Sequence, residues 1–324
     1  MAEQERLIQT FIELARLASP SKGEDAVARY IVGALREIGV NAEDDGTAAT
    51  FGGTTGNLIA HLPGDIAGPT LLLSAHMDTV EPARDISPSI KDGFIFSGGE
   101  TVLGADDKAG VAIIIEAIRL VTENRIPHYG LMILFTAAEE IGLTGSKALR
   151  RKSISADYGF VFDEGHEMGH ITVSAPYQDK FECSFFGRGA HAGIEPEKGI
   201  SAVEAASEAV RKMRLGRIDA ETTANIGIIR GGSAINIVPD SALLEGEARS
   251  LSEPKLKLQI KTMEDSCRQA ARDTGAVCEI KVTRLYDGYA LADDNPAVEL
   301  AVEAVKKTGL TPAKGKSGGG SDTN

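Results

Sequence analysis

An α/β sheet covered on both faces by helices, with a ferredoxin-like α+β unit inserted into it, is the fold class this sequence predicts. Three observations carry that reading. First, TLLLSAH (70–76), LMILFTA (131–137) and YGFVF (158–162) are short runs, apolar almost throughout and separated by helical patterns. Continuous rather than alternating apolar strands belong to sheets buried on both faces. Second, the helix between the first two runs, KAGVAIIIEAIRLV (108–121), is apolar on most of its surface and is expected inside the core. Third, from about residue 176 the element order becomes βαββαβ over ~110 residues, the size of a small domain.

Residues 4–18 and 24–38 carry apolar residues at helical spacing, and Ser19-Pro20-Ser21-Lys22-Gly23 breaks one helix and starts the next. NLIAHL (57–62) is a short strand ahead of the three apolar runs. In the second part, FECSFFGRG (181–189) reads as a strand and ISAVEAASEAVRKM (200–213) as a helix. TTANIGIIRG (222–231) and SALLEGEARSL (241–251) are strands joined by a loop containing Pro239. Ser252 is placed to cap a helix with Pro254 in its first turn, running to about Asp273. AVCEIKVTRLY (276–286) closes the unit with period-2 alternation. A helix from Pro296 to Lys307 and a loop ending in SGGGSDTN follow, and with no further strand they are expected to rejoin the first domain. The domain reading is therefore 1–175, 176–290 and a return at 291–324.

The 324 residues suffice for about two domains, and 42% hydrophobic with 25% charged is ordinary globular composition. Lys and Arg number 34 against 47 Asp and Glu, a formal charge of −13. The basic footprint of a nucleic-acid binder is missing, and carboxylates are available for a cation site. Cys183, Cys267 and Cys278 are an odd set without a CxxC pair, which argues against a disulfide framework or a thiolate zinc cluster. No window approaches 18 consecutive apolar residues and the N-terminus lacks a signal-peptide run, so no membrane span and a cytoplasmic location are expected.

Each of the three apolar runs ends in residue types that bind metals: His76 and Asp78, then Glu139 and Glu140, then Asp163. In an open α/β sheet, ligands collect beyond the carboxyl ends of the strands. Gly104-Ala105-Asp106-Asp107-Lys108 opens the buried helix, whose N-terminus favours an anion. A lone His-x-Asp or Glu-Glu pair is an ordinary surface feature; the joint placement at three strand ends is what points to a site. One imidazole with four or five carboxylates is a nitrogen–oxygen donor set suited to zinc, cobalt or manganese. Carboxylates crowded in a cleft repel one another, a cost that a pair of cations removes. Two metals ~3.5–4 Å apart activate a water and polarise a carbonyl, and amide hydrolysis then needs a base. Neighbours on an extended strand point oppositely, so the strand is expected to break between Glu139 and Glu140, with Gly142 assisting the bend.

Two motifs are set aside. His166-Glu167-Met168-Gly169-His170 matches His-Glu-x-x-His, whose zinc chemistry needs a helix. Here the segment lies between two strands with Gly165 beside it, so a hairpin turn is expected. Gly315-Lys316-Ser317 looks like a phosphate loop, but Gly309 is one residue too far upstream and no helix follows.

The segments SAHMDTV, GADDKAG, AAEEIG, FDEG, GRGAHAG and GGSAINIVPD, in that order, resemble the cocatalytic metallopeptidases and deacylases. That superfamily includes peptidase T, carboxypeptidase G, acetylornithine deacetylase and succinyl-diaminopimelate desuccinylase, and the peptidase T-like branch is the nearest. The resemblance implies a zinc-exopeptidase-like mixed sheet and an inserted ferredoxin-like lid domain through which a homodimer forms. It implies two divalent metal ions, zinc foremost, with His76 and Asp163 on one, Glu140 on the other and Asp106 bridging them. Asp78 would orient His76, and Glu139 would be the general base. Asp107 fits the motif too, but as a cap for the loop and helix.

His191 lies in a glycine-rich turn and, on the residues alone, is a loop histidine satisfied by backbone. Through the resemblance it is the lid histidine that reaches the scissile carbonyl, while Asn236 and Arg249 bind the substrate's backbone or carboxylate, arginine being suited to a bidentate grip. Aspartate at position 163 favours peptides over N-acyl amino acids. The implied activity is removal of the N-terminal residue from short peptides, tripeptides foremost. Hydrolysis of an N-acyl amino acid or another small amide by the same site is the alternative, and a catalytically silent binding protein is a third. SGGGSD is a flexible linker by composition but a loop facing the active site by resemblance. Family chains continue further and supply one more histidine ligand, so a fragment is expected.

Overall fold

Leu14, Ala15, Val27, Ile31 and Leu35 recur at helical spacing and are wholly buried, which explains α1 (Ala2–Arg16) and α2 (Asp25–Glu37) in the computed structural model. The structure describes residues 2–324; Met1, where the first domain was expected to begin, lies outside the described residues. These helices share one core with Leu58, Ala75, Ile115 and Phe135. β1 (Ala42–Asp44), the short α3 (Ala48–Phe51) and β2 (Leu58–Leu62) lead to β3 (Leu71–His76). A small hairpin, β4 (Ser89–Lys91) and β5 (Phe94–Phe96), turns at Asp92 and Gly93, both at positive φ. That Asp-Gly turn is a hairpin signal the sequence reading passed over.

α4 (Ala105–Glu123) buries Val111, Ile114, Ile115 and Ile118 completely, as its apolar surface requires. β6 (Leu131–Thr136), α5 (Thr144–Ala148) and β7 (Tyr158–Val161) follow. The sheet order is β1-β2-β6-β3-β7. β3 runs parallel to both β6 and β7, whereas β2 is antiparallel to β6 and β1 to β2, so the sheet is mixed. Register pairs His76 with Thr136 and Ser74 with Val161. The carboxyl ends of β3, β6 and β7 therefore share one edge of the sheet, the edge where such folds place ligands. One expectation needs correcting: β7 is an edge strand, only half buried, and Phe162 beyond it is 38% exposed. Its run lacks a strand neighbour on one side, which accounts for the partial burial.

The second unit contains β8 (His170–Ala175), β9 (Tyr177–Phe186), α6 (Ala202–Lys212), β10 (Gly216–Arg217), β11 (Thr222–Gly231), β12 (Ser241–Ser250), α7 (Glu253–Thr274), β13 (Val277–Tyr286) and β14 (Tyr289–Ala290). Its main sheet is antiparallel in the order β10-β11-β12-β9-β13. The first strand of the βαββαβ series thus lies between the third and the fourth, the ferredoxin-like arrangement. Phe181, Cys183 and Phe185 alternate inward from β9 against Leu256, Met263 and Cys267 of α7. Ala202, Ala205, Ala206 and Ala209 give α6 a face of small residues on the same core. Burying each Phe contributes about 1.5–3 kcal/mol. Ser201 caps α6 by accepting from Glu204 N at 3.1 Å; Ser252 occupies the cap position of α7, but its side chain makes no cap bond.

α8 (Pro296–Lys307), capped by Asn295, is followed by β15 (Ala313–Lys316). The expectation of a tail without a strand is corrected here: β15 joins β14 and β8 in a three-stranded sheet. The first unit runs to His170 and takes back Asp293–Ala313 and Ser321–Thr323, and the second holds Ile171–Ala292 with Lys314–Gly320 and Asn324. The expected hairpin at 166–170 is also corrected, because β7 and β8 belong to different sheets and the segment is an open turn between them. Among the described residues, no helix is long and apolar enough to cross a membrane.

Candidate active site

His76 ends β3 with its ring 2% exposed. Its Nδ1 lies 2.9 Å from the Asp78 carbonyl oxygen, and its Nε2 lies 2.9 Å from Asp106 Oδ1 and 3.9 Å from Asp163 Oδ1. Asp78, wholly buried, accepts from three directions: Glu139 N at 2.9 Å, Glu140 N at 3.2 Å and Ser21 Oγ at 2.6 Å. One carboxylate thus ties the end of β3 to the turn after β6 and to the link between α1 and α2.

The strand breaks ahead of the two glutamates rather than between them. β6 stops at Thr136, Ala138 takes φ +52° and Gly142 takes φ +96°. Ala138 N donates to Glu24 Oε1 at 2.9 Å, and Ala137 N to Asn57 Oδ1 at 3.1 Å. Gly145 sits so close beneath the turn that a Cβ there would meet Ala137 O at 2.1 Å. Glu139 is buried and Glu140 half-buried. At the entry to α4, the Asp106–Asp107 peptide is cis. Asp106 presents an exposed carboxylate, while Asp107 is buried and accepts from His76 N at 3.1 Å and from Gly110 N at 3.2 Å. The second bond is the helix cap expected of Asp107.

Two donor groups share His76: His76, Asp106 and Glu140, and His76, Asp107 and Asp163, with the donor atoms of each group within 4.8 Å of one another. The sequence reading missed several supports. Glu24 and Ser21 act from the α1–α2 link, and Asp322 accepts from the Thr136 hydroxyl at the end of β6. Asp322 belongs to the glycine-rich tail, which the family resemblance had placed facing the site.

Electrostatics fit a cation. Burial pushes Glu139 up to about 8 and Asp163 up to about 7, and it raises Asp107, Asp322 and Glu140 as well. Asp106 is held below the usual carboxylate range by its hydrogen bond to His76. Asp322 Oδ1 is buried without a partner. A divalent ion would favour the ionised form of every one of these carboxylates, and one imidazole among oxygen donors suits a borderline metal.

In the second unit, His191 is exposed and its Nδ1 accepts from Gly193 N at 3.2 Å, the backbone satisfaction read from its residues. His191 bridges to Ile237, and Ala192 N donates to the Asn236 carbonyl at 2.9 Å, so the loops of His191 and Asn236 run side by side. Arg249 makes a two-pronged pair with Glu247, both contacts at 3.0 Å.

Residues 72–324 match the model of Peptidase family M20/M25/M40. The chain is 41% identical over 324 residues to the protein YqjE of Bacillus subtilis strain 168, covering 100% of this chain and 87% of that one. The crystal structure of aminopeptidase PepT from Bacillus cereus ATCC 10987 superposes with a TM-score of 0.88 at 44% identity, covering 99% of this chain and 86% of that chain. A tripeptidase from Staphylococcus aureus Mu50 superposes with a TM-score of 0.93 at 38% identity, covering 98% and 86%. The ligand-type residues gathered at the sheet edge and these likenesses agree: the chain belongs to Peptidase family M20/M25/M40 and is a metallopeptidase of the exopeptidase type.

Proposed function

We propose that this protein removes the N-terminal residue from short peptides, tripeptides foremost, at a centre for two divalent metal ions. The observation that carries the reading is the pair of donor groups that share His76 at the carboxyl ends of β3, β6 and β7. His76 and Asp163 would hold one ion, Glu140 the other, and Asp106 would bridge. Zinc is the expected metal, with cobalt or manganese able to replace it. When bound, the ions lower the pKa of water and polarise the scissile carbonyl.

The chain's own residues supply the rest. Glu139, buried beside the donors, takes a proton from the attacking water and returns it to the leaving amine. Asp78 fixes both the His76 ring and the backbone of Glu139 and Glu140. His191, Asn236 and Arg249 are assigned to the substrate. For Arg249 this requires exchanging its Glu247 partner for the peptide carboxylate, a swap that keeps the guanidinium paired throughout. Initial rates on tripeptides and on N-acetyl amino acids under the same metal separate the readings. Faster turnover of tripeptides is expected, and a preference for N-acetyl amino acids would assign a deacylase instead.

A further inference from the structure

We propose that Glu164, His166 and His170 form another metal centre, separate from the one at the strand ends, which takes a divalent transition-metal ion of the copper, nickel or zinc class. The three come together without a helix. Between β7 and β8 the chain turns through Gly165 and Gly169, the latter at φ +97°. His170 N donates to Glu167 O at 3.1 Å, and Gly169 O accepts from Ala313 N at 2.9 Å, which anchors the far end of the turn. The result is that one donor atom from each of the three side chains lies within 4.8 Å of the others.

The local geometry is that of ligands brought together. The rings of His166 and His170 stack with centroids 4.2 Å apart and planes 13° from parallel, so their in-plane lone pairs run side by side, and His166 must swing off the stack for both rings to meet one ion. Glu164 Oε1 contacts His166 Nδ1. His170 Nε2 is buried and has no hydrogen-bond partner. A buried ring nitrogen without a partner is costly, and a metal ion bound at the cluster would satisfy it.

Two imidazoles and a carboxylate are a complete set of protein ligands for an open tetrahedral site, and imidazole suits zinc, copper and nickel. Donors ~2.0–2.2 Å from a tetrahedral ion are roughly 3.4 Å apart. The remaining closure is within reach of side-chain rotation at Glu164 and His166, both exposed. Because Glu164 follows Asp163 directly, an ion held here would staple the connection that leaves the first centre.

The test is electron paramagnetic resonance of one equivalent of copper(II) added to the zinc-loaded protein. The expected result is bound copper with hyperfine coupling to two ring nitrogens and release of at most one zinc ion per chain, the one held at the turn. His166→Ala and His170→Ala should each abolish that coupling while circular dichroism is unchanged and the two zinc ions of the first centre stay bound. His166 is exposed, so its removal takes away the ring stacked on His170 and no residue of the buried core. Copper bound with the same spectrum in both variants, or no copper with two-nitrogen coupling in the unsubstituted protein, would overturn the proposal.

Discussion

Glu139→Gln is expected to lower turnover of a tripeptide by ~10²–10⁴-fold, the usual contribution of a general base, with metal content unchanged. The substitution keeps volume and removes the proton acceptor. Glu139 is assigned to the proton and not to a metal because Asp106 and Glu140, not Glu139, group with His76 as donors. Without metal, burial raises the Glu139 carboxyl to about 8, and a divalent ion beside it would favour the ionised form that accepts a proton. Parallel measurement of zinc by mass spectrometry and of initial rate decides the matter. Zinc lost together with activity would mean that Glu139 is a ligand and that its role and that of Glu140 are reversed.

The second large effect is expected at Asp78. Asp78→Asn replaces one acceptor oxygen with an NH2 group, facing either Glu139 N or Glu140 N. One buried N–H then loses its partner, at about 1–3 kcal/mol. The His76 ring also loses the carboxylate 3.5 Å from its Nδ1. Groups that orient a metal-binding histidine in this way are commonly worth 10–100-fold in metal affinity. Competition with a chelator and urea unfolding should therefore both show loss. Unchanged affinity with unchanged stability would remove Asp78 from the account.

Much of this was legible in the sequence because it is local. The apolar runs at 70–76 and 131–137 are continuous since β3 and β6 are interior strands, and each run ends directly in the residues that converge. A break at the Glu139–Glu140 pair followed from period-2 geometry, and the structure makes it just ahead of the pair, with Ala138 at φ +52°. Alanines at 202, 205, 206 and 209 announced a helix by their spacing, and the β9–β13 unit followed from element order alone.

What stayed hidden depends on contacts distant in sequence. Glu24 reaches Ala138 across 114 positions and Asp322 reaches Thr136 across 186, and no periodicity encodes such pairs. YGFVF reads like a central strand, but strand position in a sheet is a tertiary property, and β7 lies at the edge. The histidines at 166 and 170 matched a helical motif that the glycines forbid, yet the turn those glycines permit brings the same side chains together.

Under the proposed function, a metal pair held by His76, Asp106, Glu140 and Asp163 hydrolyses short peptides. The most direct measurement is metal content together with tripeptide hydrolysis, taken before chelation, after chelation and after zinc is returned. His166→Ala is the protein to use, so that zinc at the turn does not enter the count. The account predicts two ions per chain, activity lost with them and restored with them. Tripeptide hydrolysis that survives complete removal of metal, or none with both ions bound, would contradict it.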